Sequence, residues 1–160
     1  MIIKDIEKYY HFIFDRTHFF DGHSHGGYEA NIVLKGSIEV TCSDKVLELN
    51  TGDMAIWQAS MFHRDRVVSK SSAEFIAIHF SAEEGCFPDG FLGFYRLSHS
   101  NLSLVHILDE EIRQQDGEIS PSAKCLWEAA ILRIKSNIEP IRISSSAAAE
   151  IYNNAVNFMS

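Results

Sequence analysis

The sequence predicts a mainly β domain, a small antiparallel barrel, followed by two or three α-helices. Between residues 37 and 80, short runs rich in β-branched and aromatic residues alternate with turn signals such as Ser43-Asp44-Lys45 and Thr51-Gly52-Asp53. Regular spacing of this kind is typical of antiparallel sandwiches and small barrels. After Asn101 the apolar residues recur every three to four positions instead, which is the period of a helix.

Length, charge and cysteine content limit the function classes. The 160 residues suffice for one domain with a sizeable core. The formal net charge of -8 argues against nucleic-acid binding by this segment itself, because phosphate contacts need clustered Lys and Arg. No stretch resembles a membrane span or a signal peptide, so a cytoplasmic location is expected. Cys42, Cys86 and Cys125 are odd in number and widely spaced, which indicates reduced thiols.

Residues 21–36, DGHSHGGYEANIVLKG, contain the first functional pattern. Side chains on a strand repeat every two residues, so His23, His25 and Glu29 are expected on one face if the strand continues without a bulge. The strand would then end at the Gly36 turn. The pattern therefore predicts two imidazoles and one carboxylate that point into the same interior.

Residues 50–63, NTGDMAIWQASMFH, contain the second pattern: a turn, a strand, a short loop and a third histidine, His63. Together the two segments resemble the motifs of the cupin superfamily. His23, His25, Glu29 and Gly36 match the first motif from its first histidine onward. Gly52 and His63 keep the spacing of the second motif, although Gln58 and Ser60 stand where the family usually has Pro and Gly.

The resemblance implies a cupin barrel, that is, a double-stranded β-helix or jelly roll. It also implies a divalent metal (Zn, Ni, Fe or Mn) held by His23, His25, Glu29 and His63, since imidazole and carboxylate suit such ions. An open coordination position would permit oxygenase or isomerase chemistry. Two alternatives stay open: the cluster orients an organic effector without metal, or Glu29 and His63 simply form an ion pair.

The overall layout resembles the regulatory half of AraC-type bacterial transcription regulators. In that family the barrel binds a small effector, the following helices form a dimer contact, and a helix-turn-helix domain binds DNA. The resemblance implies a barrel with its arm in residues 1–98, a dimerisation element in 99–140, and in 141–160 the start of a linker or helix. Because the helical pattern reaches Ser160 without a stop signal, further chain with the DNA-binding part is expected beyond it.

A sensor of this type would bind a small polar effector, such as a sugar or a small acid. Apolar walls with a few convergent polar groups suit such ligands. His79 would join the pocket if the face of its strand that carries Phe75 and Ala77 lines the cavity; a hydrogen-bonded wall histidine is the alternative. The other expected contacts are His23, His25, Glu29, Asn31, Trp57 and His63.

The aromatic segment 9–20 precedes the first motif. It is predicted to be a strand or arm that packs its rings on the barrel. In the functional alternative it is a flap over the barrel mouth, and its side chains touch the ligand. The candidates for that contact are Tyr9, Phe12, Phe14 and Arg16.

The second half of the chain is predicted to be a loop followed by helices. Residues 81–100 hold three glycines and a proline, so a connecting loop is expected. Asn101 is predicted to cap a helix that stops at Gly117, and Ser120-Pro121 to open a second helix that Pro140 ends. The broad apolar faces of the two helices predict a homodimer. A third helix is expected from residue 144.

Overall fold

The computed structural model describes residues 1–135 and 139–140, and these form nine strands and two helices. The strands are β1 (Ile3–Asp15), β2 (Tyr28–Lys35), β3 (Ser37–Cys42), β4 (Lys45–Asn50), β5 (Asp53–Gln58), β6 (His63–Val67), β7 (Ser72–Ala82), β8 (Leu92–Arg96) and β9 (Glu139–Pro140). The helices are α1 (His99–Gln114) and α2 (Pro121–Lys135). The predicted mainly β architecture with helices after the barrel is confirmed.

Two antiparallel sheets face each other. The larger has the strand order β1-β7-β2-β5-β8-β9 and the smaller the order β4-β3-β6. The chain between β1 and β2 extends the smaller sheet, because Phe19 forms a bridge with Arg66 and His23 forms one with His63. These bridges bring the first histidine motif against β6.

Side chains alternate across the larger sheet and divide the apolar residues into two cores. On β7, Ile76, Ile78 and Phe80 pack with the helices, where Trp127 of α2 meets the Phe80 ring at 5.3 Å. Phe75, on the opposite face of β7, packs between the sheets with Trp57. Burial of each such large side chain contributes about 1.5–3 kcal/mol. Polar side chains also point into the barrel, namely those of Glu29, Asn31, His63, Asp65 and His79.

β1 is a strand along its whole length, as the strand interpretation of the aromatic segment predicts. It pairs with β7 from Ile3 opposite Ala82 to Asp15 opposite Ser72. The register shifts between Ile6 and Lys8, which is the mark of a β-bulge. Because of this shift, Ile6 packs in the helix-side core whereas Lys8 faces the barrel interior.

Three predicted element boundaries are wrong. Residues 81–100 are not one loop, because Leu92–Arg96 form β8, which contains the third glycine, Gly93, and pairs with β5. Ser98, not Asn101, caps α1, because its side chain accepts a hydrogen bond from the Asn101 N–H. By Pro140 the chain is already paired with β8, so this proline does not end α2.

Two predicted helix signals are confirmed. Gly117 has a φ of +87°, and its N–H donates to the Ile112 carbonyl, which ends α1. Pro121 is the first residue of α2, and the Ser120 hydroxyl accepts from the Ala123 N–H. The expected third helix lies outside the described residues, and the domain division at residues 98 and 140 stays a prediction. None of the described helices is long and apolar enough to cross a bilayer.

Candidate functional site

His23 and His25 do not share a strand with Glu29, contrary to the expectation from their spacing. β2 begins only at Tyr28, after Gly27 has taken a φ of +73° that an L side chain rarely adopts. His23 is instead held opposite His63, since each donates its backbone N–H to the carbonyl of the other at 2.9 Å. Backbone pairing with β6, not strand alternation, therefore brings the motif histidines to the third histidine.

Four side chains nevertheless converge as the two motifs predict. The candidate ligand atoms of His23, His25, Glu29 and His63, hereafter the four-ligand cluster, all lie within 4.8 Å of one another. Oε2 of Glu29 is 2.9 Å from Nε2 of His25 and 3.0 Å from Nε2 of His63. His79 adds a third imidazole, with its Nε2 at 3.4 Å from the same oxygen.

Each histidine of the four-ligand cluster makes a hydrogen bond through Nδ1 to a backbone carbonyl. The Nδ1 to oxygen distances are 3.1 Å for His23 with Asp21, 2.9 Å for His25 with Gly26, and 2.7 Å for His63 with Met61. A carbonyl oxygen only accepts hydrogen bonds, so Nδ1 must carry the proton. This leaves Nε2 of each ring as the nitrogen available to a ligand, the arrangement that protein metal sites use.

His63 shows most directly that a cation fits this cluster. Its Nε2 is buried and makes no hydrogen bond to any described residue, although Oε2 of Glu29 lies nearby. A neutral ring with its proton on Nδ1 turns a lone pair towards that carboxylate, and two facing acceptors repel each other. A divalent cation would satisfy both atoms, because imidazole nitrogen and carboxylate oxygen are its ordinary protein ligands.

Burial and hydrogen bonding have opposite effects on the charged forms of the cluster residues: burial disfavours them and hydrogen bonds favour them. Burial disfavours the Glu29 carboxylate, but the hydrogen bond with His25 and the neighbouring imidazole rings outweigh it and lower its pKa to about 2. Burial also disfavours charge on His25, yet hydrogen bonds to Glu29 and Gly26 raise its pKa. Without metal, Glu29 is therefore an anion beside a His25 ring that holds its proton.

Burial shifts the pKa values of two further groups near the cluster in favour of their uncharged forms. Burial lowers the pKa of His79 to about 4, so this ring is neutral at physiological pH. Burial, together with the charge of Glu29, raises the pKa of Asp65 to about 7. Asp65 accepts a hydrogen bond from Nδ2 of Asn31 at 3.3 Å.

An open cavity of about 540 Å³ reaches the four-ligand cluster. β1 supplies one wall, where Tyr10 and Phe12 stack with ring centres 5.3 Å apart. The volume lies within the range of small-molecule sites. The lining residues are Glu7, Lys8, Tyr10, Phe12, Phe20, His23, His25, Gly26, Glu29, Asp65, Ala77 and His79.

The predicted site residues outside the four-ligand cluster separate into three groups. His79 lines the cavity, as its strand face predicts, and Phe12 of the aromatic segment also lines it, whereas Tyr9 does not. Asn31 and Trp57 are fully buried and do not line it, although the Trp57 ring lies 5.2 Å from that of His63. Phe14 and Arg16 are not brought to the cavity either: Phe14 stacks on His18, and Arg16 is exposed.

Six cavity residues were not identified from the sequence: Glu7, Lys8, Tyr10, Phe20, Gly26 and Asp65. Asp65 lies two positions after His63 on the same strand, so strand alternation could have identified it. Lys8 and Tyr10 pair with His79 and Ala77 across β1 and β7, which requires the register of those strands to be known. Phe20 lies in the segment between β1 and β2 and carries no comparable signal.

His11 connects three elements, β1, β7 and α1. Its Nε2 lies 2.7 Å from Oε1 of Glu74 on β7, and its Nδ1 lies 2.7 Å from Oδ1 of Asp109 on α1. The Tyr9 hydroxyl donates to the same Asp109 oxygen, and burial together with this acidic neighbour raises the pKa of Tyr9. The face of β1 opposite the cavity is thus bound to α1.

Comparison with known proteins supports the fold that the two motifs imply. The family described as Cupin domain matches residues 14–79, a span that contains the whole four-ligand cluster. The chain therefore has the cupin fold, as expected. A search of curated protein sequences found no match.

Two solved structures extend the likeness beyond the barrel. ToxT from Vibrio cholerae O395 has a TM-score of 0.54 at 11% identity, over 87% of this chain and 58% of that chain. An apo ToxT variant from Vibrio cholerae strain SCE256 has a TM-score of 0.55 at 8% identity, over 81% of this chain and 55% of that chain. This chain thus spans less than two thirds of either. At these identities the likeness shows the fold alone.

Proposed function

We propose that this cupin-fold chain is the effector-binding and dimerisation domain of an AraC-type transcription regulator, and that a small polar ligand enters its barrel cavity. The observation that carries the proposal is the open cavity that ends on the four-ligand cluster, in which Glu29 and His63 are buried. Polar groups at the end of an otherwise apolar pocket fix the orientation of a ligand and select among ligands.

The two faces of β1 support a sensing role. Lys8, Tyr10 and Phe12 face the cavity, whereas Tyr9 and His11 hold Asp109 of α1. A ligand that touches the inner face can therefore favour one position of α1 through the outer face. It does so only by binding one arrangement more tightly than the other, because a ligand shifts an equilibrium through differential affinity.

The helices support self-association. Ile107 of α1 is 51% exposed and Leu132 of α2 is 54% exposed, so each helix keeps an apolar side chain in solvent. We propose that these side chains lie in a homodimer contact.

DNA binding is assigned to a helix-turn-helix domain outside this chain, in keeping with the net charge of -8.

We further propose that a divalent cation (Zn, Ni, Fe or Mn) is held by His23, His25, Glu29 and His63. The fixed Nδ1 protons and the unpartnered Nε2 of His63 support this assignment. When bound, the ion would supply a Lewis acid for a polar group of the effector. His79 and Asp65 would then orient the rest of the effector from the adjoining wall.

Ligand screening coupled to hydrogen exchange tests the sensor proposal. Sugars and small acids are screened for thermal stabilisation of the metal-supplied protein. Hydrogen exchange of the protein is then measured with and without the ligand that stabilises it most. Slower exchange in both β1 and α1 is expected, because the two elements share the His11 and Tyr9 contacts. A ligand that binds in the cavity and leaves α1 exchange and the oligomeric state unchanged would contradict the sensor role.

A metal-dependent enzyme, an oxygenase or an isomerase, is the second candidate. Asp65 favours it, since this carboxyl group lines the cavity and can hold or release a proton near neutral pH. Elemental analysis of untagged protein tests the enzyme candidate. Protein without metal would argue against an enzyme, because it lacks the reactive centre. Turnover of a bound ligand by metal-loaded wild type, lost in Asp65→Asn, would favour the enzyme.

A further inference from the structure

The geometry points to a ligand class: we propose that the cavity selects a carboxylate with a flat apolar body, and that Lys8 is the residue that recognises the carboxylate. This inference rests on the proposed function, because it names the ligand of the same cavity. It is carried by three observations: the bulge in β1, the charges that face the cavity, and the aromatic wall.

The β-bulge turns Lys8 into the cavity. In a regular strand, residues 6 and 8 would share one face. Ile6 packs in the helix-side core, yet Lys8 lines the cavity, because the register of β1 shifts between them. Bulges are used in this way to redirect a side chain at a functional site. Lys8 then lies directly opposite His79 in the strand pairing.

The charge of Lys8 is available to a ligand. Among the described residues that line the cavity, it is the only lysine or arginine. Of the acidic lining groups, Glu29 is occupied by His25, Asp65 is bonded to Asn31, and Glu7 lies beside Lys8 on the strand. Lys8 itself makes no ion pair with a described residue. Lys8 is exposed at the open cavity, and a ligand carboxylate would give its ammonium group a charge-assisted hydrogen bond, which is stronger than a neutral one.

The wall next to Lys8 is flat and aromatic. The Tyr10 and Phe12 rings are nearly parallel, at 9°, and Phe20 packs against Phe12 at 5.3 Å. Tyr10 remains 37% exposed, so the wall is accessible. Aromatic faces favour planar partners in offset or edge contacts. Apart from the Tyr10 hydroxyl, this wall offers no side-chain hydrogen-bonding group that would match the many hydroxyls of a sugar.

The test uses four probes on the full chain by titration calorimetry: benzoate, its neutral isostere benzamide, the non-planar cyclohexanecarboxylate, and xylose. Wild type is expected to bind benzoate about tenfold more tightly than benzamide, the effect of one partly buried charge pair, and more tightly than cyclohexanecarboxylate. Lys8→Gln should abolish the preference over benzamide, and Lys8→Arg should keep it. Lys4→Gln is the matched control, since Lys4 lies on the same strand outside the cavity beside Glu83.

Several outcomes would overturn the inference. Equal binding of benzamide and benzoate by wild type, or the same loss in Lys4→Gln as in Lys8→Gln, would remove carboxylate selection by Lys8. Tighter binding of xylose would also overturn it while leaving the sensor role in place. Failure of folded wild type to bind any probe at about 10 mM overturns the ligand class as well. The hydrogen-exchange experiment on β1 and α1 then tests the sensor role independently.

Discussion

The Nδ1–H of His63 donates to the backbone carbonyl of Met61 across 2.7 Å, and this bond decides what the other ring nitrogen can do. With the proton on Nδ1, Nε2 presents a lone pair to the carboxylate of Glu29, 3.0 Å away. Such a contact is unfavourable without a proton or a cation between the two atoms. The backbone of the short loop before β6 therefore prepares a metal ligand.

Metal binding should release a proton from His25. The pKa of this ring is raised by Glu29 and Gly26 despite burial, so the metal must displace a proton from Nε2. We expect about one proton released per Zn²⁺ below that pKa, and affinity that falls about tenfold per pH unit on further acidification. Calorimetry in buffers of different ionisation enthalpy measures the release. Affinity that stays constant between about pH 5 and 7, where imidazoles titrate, would contradict it.

Asp65→Asn should stabilise the metal-free protein at alkaline pH. The pKa of Asp65 is raised from 3.8 to about 7 by burial and by Glu29, so the folded protein keeps a proton that the unfolded chain loses. Wild-type stability therefore falls as pH rises through this window. The variant should gain about 2 kcal/mol at pH 8 and nearly nothing at pH 4.

Urea unfolding in the presence of a chelator measures the effect at both pH values. Asp89→Asn, the same change at an exposed position, serves as the control and should have no effect at either pH. A gain for Asp65→Asn that is equal at pH 4 and pH 8 would show that ionisation is not its cause.

His11→Gln should weaken the attachment of β1 to α1. His11 lies 2.7 Å from a carboxylate oxygen on each side, and the single amide nitrogen of a glutamine cannot reach both oxygens. We expect a loss of about 1–3 kcal/mol in the free energy of unfolding, because two partly buried carboxylates lose their shared partner. His106→Gln, at an exposed position of α1, is the control.

A double-mutant cycle distinguishes this contact from a general packing effect. If His11 acts through Asp109, the loss in the His11→Gln, Asp109→Asn double variant should be smaller than the sum of the single losses. Strictly additive losses would mean that the two side chains stabilise the protein independently.

Ile107→Glu combined with Leu132→Glu should give a monomer. Both side chains are more than half exposed on the helices, and two buried charges in the proposed contact would oppose association. Sedimentation of wild type at about 50 μM should show a dimer, since a functional dimer needs at least micromolar affinity. Val46→Glu, at a 60% exposed position on β4, should leave the dimer intact. A monomeric wild type, with and without a cavity ligand, would refute the contact.

The sequence alone predicted the convergence of the four ligands because motif spacing encodes which chain segments meet. It mispredicted how they meet, since the chain leaves strand geometry at Gly27 and His23 reaches His63 through a bridge between separate segments. β8 was missed because it has only five residues, of which the second is Gly93, and because it follows a segment with further glycines, so it leaves little periodic signal.

Lys8 and His11 were beyond sequence reasoning for different reasons. The bulge at residue 7 reverses the alternation on which strand faces are predicted, so Lys8 would have been assigned to the face of Ile6. The partners of His11 lie 63 and 98 positions away along the chain, and nothing local indicates them. The register between β1 and β7 determines the face on which Lys8 lies, and the packing of α1 on the sheet determines the partners of His11.

Metal content is the most direct test of the central claim that the four-ligand cluster is a selective site at the end of the cavity. Untagged wild type, His63→Ala and the control His79→Gln are purified and examined by native mass spectrometry after supply of Zn, Ni, Fe and Mn. We predict one divalent cation in wild type and in His79→Gln, and none in His63→Ala. A wild-type chain that takes up no cation, or a His63→Ala chain that binds as much as wild type, would contradict the account.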